Sequence, residues 1–424
     1  MSSYAYEKEQ FGKIYSGVSR KSIMASLFKP QVMVGESWTW MVDTANPGGF
    51  TVVSGADRGT LPSLNAAIAG SAQRLTLNPS TMYLHSEIPE ETIRRTSGAG
   101  ADSGNSKAFA NEKLRRAKQV KDSLLNLNDL AQFYGQDDVG TFNTTDSTAD
   151  TATQTTVVID AVAWIPALKS SKGHAFDFHN ASTHAKVNTA DIILRSTSES
   201  AKTITFTCNT TDAAALAAGA TEMYLVPAGF GGKDTTVRTP GIKKFLNTTT
   251  GTLLGADFSD PNLHGTVLSA VGGPLTKDVI YSALTDVTNA QGLGSTDFVL
   301  ITSTASHNDV LAAFDDEVRY VNGQGTKTQG TNKVVTAFDG HNVEHMSSSR
   351  IKRGDAFLLA KKYLQRVRSH SEECFYSYAS ENGGVPFDVM TDKPGIDIRA
   401  GITEAVCIGL PNACAYIPGI VPSL

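Results

Sequence analysis

Cysteine is scarce and scattered. Cys208, Cys374, Cys407 and Cys414 are the four in 424 residues, and no two form a CxxC pair. That pattern argues against a disulfide framework and fits folding in a reducing compartment. Charge is also thin: Asp, Glu, Lys and Arg make up 19% of the chain, below the roughly 25% of an average soluble domain. A formal charge of -5 and a pI of about 6.0 ask for no nucleic acid as a specific ligand. A protein that encloses nucleic acid without gripping it would be equally acidic. No run of 18 apolar residues occurs, so no membrane span is expected. The start, MSSYAYEKEQFGK, lacks the apolar core of an export signal, and cytoplasmic folding is expected.

Catalytic signatures are missing as well. There is no GxSxG elbow and no HExxH helix. His341 and His345 flank Glu344, but the zinc motif needs Glu directly after the first His, so strand-edge or surface histidines are the plainer reading. GFGGKDTT (Gly229 to Thr236) places Asp234 where a phosphate loop needs Ser or Thr, and a carboxylate there repels phosphate. It reads as a flexible turn between units, and GQGTKTQG (Gly323 to Gly330) as a surface loop. Asp257 and Asp260, in GADFSDPN, read as side-chain caps of a turn rather than cation ligands. Cys407 and Cys414 lie seven apart with no histidine near, which is no metal signature. No catalytic residue, cofactor or metal ligand is expected, and the chain is not expected to be an enzyme.

What is present is texture. Hydrophobic residues at 40%, with abundant Gly and Thr, favour strands and ordered loops, and the length allows two or three packed units. Met1 to Pro30 reads either as an arm that lies on something else or as a disordered terminus. SWTWMV and GGFTVVSG alternate as strands, and RLTLNPSTMYLHSEI, Arg74 to Ile88, reads as a strand pair. Together they suggest a projecting hairpin whose base sits beside a long helix. That helix is predicted from about Ser106 to Tyr134. Leu114, Ala117, Val120, Leu124, Leu127, Ala131 and Tyr134 form one stripe, and Gly135 ends it. It would be about 40 Å long. Lys113, Arg115, Arg116, Lys118 and Lys121 crowd its first half, where cations oppose the helix dipole. Either a negatively charged partner offsets that mismatch or this is a solvated face tempered by Glu112 and Asp122.

TFNTTDSTADTATQTT, Thr141 to Thr156, is too polar to pack and reads as an exposed loop. VVIDAVAWI, ADIILRS, KTITFTCN and TEMYLVPAG read as four short strands of a small β-rich insert, with DAAALAAGA between two of them as a helical turn or a loop. PGIKKFLNTTTGTLLG reads as a loop with one strand. A compact α/β unit follows: a helix over Leu275 to Ala290, the strand STDFVLITST, a helix in SHNDVLAAFDDEV capped by Ser306, and a strand pair in VVTAFDGHNVEHM. DAFLLAKKYLQRVRS reads as a strand or strand–bend–strand, and GIDIRAGITEAVCIGLPNACAYIPGI alternates and closes inside a sheet. Lys352, Arg353, Lys361, Lys362, Arg366 and Arg368 form a second basic cluster, offset by Asp355. Phosphate-backbone contact, a bridge between subunits, or a solvated sheet edge would each account for it.

The order of arm, long hairpin, long helix, central α/β unit and β-rich return resembles the major capsid proteins of tailed bacteriophages with the HK97-like fold. The resemblance covers nearly the whole chain and is one of architecture rather than of a diagnostic motif. It implies an α+β HK97-like capsid fold: N-terminal arm 1–31, extended loop 32–104, spine helix of the peripheral domain 105–140, β-rich insert and peripheral-domain strands 141–240, connecting loop 241–262, axial domain 263–345 and C-terminal return 346–424. It implies a subunit that assembles through hexamers and pentamers into an icosahedral shell around double-stranded DNA, first as a procapsid. Scaffolding protein, portal and a cement or decoration protein are the implied partners, the virion is the implied location, and the host cytoplasm the site of assembly. Lys113, Arg115, Arg116, Lys118, Lys361, Lys362, Arg366 and Arg368 become the candidate DNA- or scaffold-facing residues. Val32 to Gln73 holds no Lys, so the covalent cross-link of some family members is not expected. A different class of function, a surface adhesin or carbohydrate-binding protein, would use Trp38, Trp40 and Trp164 to stack sugars; a dispersed enzyme site on the α/β unit is a third.

Overall fold

The computed structural model describes residues 24, 27–28, 30–46, 48, 66, 68–90, 103–143, 148–151, 153–217, 222–233, 237–291, 297–315, 334–338, 341–369, 374–376, 388–389 and 395–423. In chain order, β1 (Pro30–Val32), β2 (Trp38–Ala45), β3 (Ser71–Leu77) and β4 (Thr81–Pro89) precede helix α1 (Ser103–Tyr134). Then come β5 (Thr141–Asn143), β6 (Thr148–Thr151), β7 (Gln154–Val158), β8 (Ala175–Asn180), β9 (Ile192–Ser198), β10 (Thr203–Thr207), α2 (Thr210–Ala217) and β11 (Glu222–Pro227). Helix α3 (Ile242–Asn247) leads to the short β12 (Thr252–Leu253), β13 (Ala256–Asp257) and β14 (Thr266–Val267). Helix α4 (Lys277–Gln291), β15 (Asp297–Thr302) and α5 (Thr304–Asp315) follow. The chain closes through β16 (Val334–Phe338), β17 (His341–Ser347), β18 (Ala356–Ala360), β19 (Leu364–Arg368), β20 (Phe375–Tyr376), β21 (Asp388–Val389), β22 (Gly395–Ile408) and β23 (Ala415–Ile417). The fold is thus mixed α and β.

β2 and β3 form a separate two-stranded antiparallel ribbon. Its alternation obeys the two-residue period of a strand. Trp38, Trp40 and Val42 face Leu77, Leu75 and Gln73 across the pair, and this side is covered. Thr39, Met41 and Asp43 point outward. A further bridge between Gly48 and Ile68 carries the pairing toward the tip. The ribbon is clipped to the chain at its base. The Gln73 amide accepts from Asp257 N at 2.7 Å, and the Thr76 N–H donates to the Leu254 carbonyl at 2.8 Å. Apart from Gly48, the predicted strand GGFTVVSG lies outside the described residues.

The expected pairing within Arg74 to Ile88 does not form. β4 instead pairs antiparallel with β22 over its full length, from Thr81↔Thr403 to Pro89↔Gly395. The reason is the apolar side of β4: Met82, Leu84 and Ile88 gain more burial against Val120, Leu124 and Ala117 of α1, together with Ile398, Ala400 and Ile402 of β22, than a neighbouring ribbon strand would offer. α1 lies across these two strands. It spans 32 residues, and Ala117, Val120, Leu124 and Tyr134 of the predicted stripe are buried. Leu127 and Ala131 pack on Tyr224, Val226 and Phe230. The 14-residue β22 continues past β4 to pair with β19, which carries β1 on its other edge.

A seven-stranded sheet follows α1, in the order β5-β11-β8-β9-β10-β7-β6. Its core is aromatic. Phe142, Phe178 and Phe206 meet edge to face with centroids 5.4 and 5.0 Å apart. Three sequence readings are corrected here. VVIDAVAWI is strand only to Val158, because the Ala163 N–H turns back to the Asp160 carbonyl at 2.9 Å. AFDFHN forms β8, which the sequence reading passed over: both of its faces are buried, so polar Asp177 and His179 stand where alternation predicts exposure. Part of the expected polar loop supplies β5, β6 and the start of β7. DAAALAAGA resolves as α2.

The remaining sheet runs β14-β23-β18-β15-β17-β16, with the C-terminal β23 in its interior, as the closing alternation predicts. β18 and β15 bury every central residue, from Ala356 to Ala360 and from Phe298 to Ile301. α4 and the strand pair β16–β17 match their expected segments. DAFLLAKKYLQRVRS takes the strand–bend–strand form, with one 3-10 turn over Lys361–Tyr363. Two details differ. PGIKKFLN is helical: Ile242, Phe245 and Leu246 recur at three- and four-residue spacing and are buried. The cap of α5 is Ser303, whose hydroxyl accepts from the Ser306 N–H at 3.2 Å, while Ser306 sits inside the helix.

Candidate functional site

Three buried polar clusters hang from the last three turns of α1: the first and third tie the helix to the stretch between β17 and β18, and the second ties it to β19 and β22. In the first, Arg350 meets Asp129 at 3.3 Å and also donates to the Asn126 amide oxygen. In the second, the Glu404 carboxylate of β22 takes Arg366 of β19 in a two-point pair, with Nη2–Oε2 at 2.7 Å. Gln132 donates to the same carboxylate, and Asn128 does so at 3.3 Å.

The third cluster closes the helix C-terminus. The Tyr134 hydroxyl donates to Asp355 at 3.0 Å and accepts from the Lys352 N–H at 2.8 Å. Tyr416 donates to the other Asp355 oxygen at 2.8 Å. Just past the helix, Asp138 pairs with Lys352 and, at 2.9 Å, with Lys233, while Asp137 takes Lys243 at 3.1 Å. Burial alone would push the Asp138 carboxyl up, but Lys352, Lys243 and Lys233 overcome it and hold it well below the ordinary carboxylate range. Burial would lower Lys243, but Asp355, Asp137 and Asp138 raise it well above the usual value. Burial first, and Asp355 second, push the Tyr134 phenol well up. Asp138 is therefore charged and the Tyr134 phenol neutral at pH 7, so the cluster is a fixed joint rather than acid–base machinery.

The predicted basic residues disperse around this joint. Lys113 lies in α1 with its side chain outside the described residues; Arg115 and Arg116 are half-buried and Lys118 is exposed. Lys361 pairs with Glu344, and the Lys362 ammonium sits 5.5 Å above the Tyr363 ring. Arg368 is half-buried. Arg366 is fully engaged with Glu404 inside the molecule, which corrects its placement on an outward basic strand: Gln132 and Asn128 of α1 converge on the same carboxylate, so this face of β19 is turned toward the helix.

Other sequence candidates resolve plainly. Asp257 and Asp260 cap their own turn, accepting from Ser259 N at 2.9 Å and Asn262 N at 3.0 Å. His341 and His345 are buried rather than at the surface. Lys233 of the GFGGKDTT turn is tied into the joint. All four cysteines are free and buried, and burial raises the Cys414 thiol to about 12. Among the described residues no cluster of His, Cys, Asp and Glu fits a metal ion, and no helix is long and apolar enough to cross a membrane. Trp164 is 0% exposed, and Trp38 and Trp40 face the covered side of the ribbon, so none offers an open platform for a sugar. The joint itself was missed from sequence. Asp138 and Lys352 are 214 residues apart, and no local pattern links them.

No protein-family profile matches the chain, and no curated protein does. Among solved structures it is similar to the capsid asymmetric unit of cyanophage A-1(L), at 13% identity over 96% of this chain and 95% of that one, with a TM-score of 0.47. It is similar to the capsid of a native GTA particle at 9% identity over 97% and 96%, TM-score 0.47, and to Gordonia phage Cozz at 11% identity over 99% and 95%, TM-score 0.45.

Proposed function

We propose that this chain is a shell subunit, the major capsid protein of a tailed phage, with the HK97-like arrangement inferred from its sequence. The observation that carries the reading is the β2–β3 ribbon. A two-stranded ribbon is marginal on its own, yet this one leaves Met41 69% exposed on its outer side, and Ile68, at the further bridge, is 65% exposed. Such a surface gains burial only from a neighbour. The joint at the end of α1 supports the same reading, because a subunit that must repeat one curvature many times needs its long helix held firmly against the elements it crosses.

On this reading the β14–β18 sheet with α4 and α5 is the axial unit, and α1 with β4, β19 and β22 is the peripheral one. Subunits group as hexamers and pentamers, close an icosahedral shell around double-stranded DNA in the host cytoplasm, and remain in the virion. Scaffolding, portal and decoration proteins are the partners. Lys118, Arg115 and Arg116 of α1, with Lys362 and Arg368, are the cations proposed to meet the genome or the scaffold.

The test is size-exclusion chromatography with light scattering, each fraction then imaged by negative-stain electron microscopy, with and without a co-expressed scaffolding protein. Rings of five or six, or closed particles of one curvature, are expected. A monomer or dimer under every condition would overturn the reading. Met41→Asp together with Ile68→Asp should block assembly and leave the circular dichroism spectrum unchanged.

A further inference from the structure

Arg238 is 5% exposed, yet among the described residues no carboxylate pairs with it. Its Nη2 makes a long 3.4 Å bond to the Tyr134 carbonyl, and its guanidinium lies 3.3 Å above the centre of the Phe230 ring. Nε and Nη1 are buried with no acceptor. Burial lowers its pKa to about 9, so the group is still charged at pH 7. Other buried cations of this chain behave differently: Lys352 faces Asp138, Arg350 faces Asp129 and Arg366 faces Glu404. A buried charge without a partner is strongly destabilising, and its retention calls for an acceptor that the isolated chain does not supply.

Arg238 forms part of the wall of a surface groove of about 450 Å³ that also holds Lys244, Asn78, Gln136 and Thr252. The wall contains a second cation and no Asp or Glu. Glu404 stands with Arg238 around a neighbouring depression, but its two oxygens are taken by Arg366, Gln132 and Asn128. Arg238 therefore brings a positive charge and two unused, buried donors to the side of a roomy groove whose wall contains no acid.

We propose that the groove walled by Arg238 and Lys244 is a binding site for an oxyanion, a carboxylate or phosphate group. The Arg238 guanidinium turns from the Phe230 face toward the groove and gives its unused donors to the incoming oxygens. The source is either a free ion or an acidic side chain of a second copy of this chain. The site does not depend on the shell reading, since a single subunit contains all of it.

The experiment titrates the full-length protein with inorganic phosphate against chloride at equal ionic strength, following the thermal unfolding temperature, and measures self-association by light scattering in both salts. Arg238→Met and Arg238→Lys are treated alike after circular dichroism establishes that they fold. A saturable rise in unfolding temperature with phosphate, weakened about tenfold or more in Arg238→Met and less in Arg238→Lys, is expected for a free ion. Self-association that phosphate suppresses in the wild type, and that Arg238→Met loses, assigns the oxyanion to a neighbour's carboxylate. A wild type whose unfolding temperature and self-association both ignore phosphate overturns the site. So do variants that respond as the wild type does.

Discussion

The Gly241 N–H donates to the Gly135 carbonyl at 2.9 Å, which brings two backbones into direct contact where α1 ends and α3 begins. A Cβ on Gly135 would lie 2.8 Å from Gly241 N, and one on Gly241 would lie 2.7 Å from the Phe133 carbonyl oxygen. Backbone cannot yield as a flexible side chain does. Gly135→Ala and Gly241→Ala should each therefore cost about 1–3 kcal/mol by overpacking. Urea unfolding reads this as a lower midpoint at an unchanged m-value.

The Arg366–Glu404 pair makes a second prediction. Both side chains are buried, so Arg366→Ala leaves a carboxylate facing Gln132 and Asn128 alone and should cost about 3–5 kcal/mol. Replacing both by Met should restore most of that loss, because an apolar pair of similar size has no stranded charge. A double-mutant cycle in urea decides it; additive losses would mean that the two residues act separately.

The basic residues on the first half of α1 should behave in the opposite way. Arg115→Ala, Arg116→Ala and Lys118→Ala lie on a half-buried to exposed face and should each change stability by about 0.5 kcal/mol or less. Combined, they should lower scaffold retention or genome packaging, measured as the DNA content of purified particles. Particles with full DNA content would remove these residues from the proposed contact.

Acid should weaken the protein in two steps. Burial first, and the His307 charge second, lower the His345 pKa from 6.5 to about 4. The unfolded chain thus binds a proton between those values that the folded chain refuses, so the contribution is complete above about pH 6.5 and is lost as pH falls to about 4. Asp138, whose folded pKa lies well below its unfolded 3.8, contributes fully above that value and loses its contribution only at lower pH. His345→Phe should flatten the slope of stability between pH 6.5 and 4, whereas Asp138→Asn should alter only the limb below it. Urea midpoints from pH 3 to 8 separate the two.

The cysteines supply the last test. Cys208, Cys374, Cys407 and Cys414 are buried as free thiols, and burial raises the Cys407 thiol as it does Cys414. Thiolate is the reactive form. A chromogenic disulfide reagent should find no rapid thiol in the native protein and four after unfolding.

Long-period patterns in the sequence determined much of the architecture. The stripe from Ala117 to Tyr134 specified α1, the alternation of Trp38, Trp40 and Val42 specified one ribbon strand and its covered face, and the closing alternation placed β23 inside a sheet. Periodicity does this because it reports which face is buried within one element, and that depends on neighbours three or four residues away on a helix, or two on a strand. Tertiary structure decided what periodicity cannot carry. It gave β4 to β22 rather than to β3, since both partners satisfy the same backbone and only the apolar surface of α1 distinguishes them. It turned Arg366 inward to Glu404, joined Asp138 to Lys352 across 214 residues, and left Arg238 without an acid. A charge carries no period, and whether it meets solvent, a partner or neither is set by segments far along the chain that fold against it.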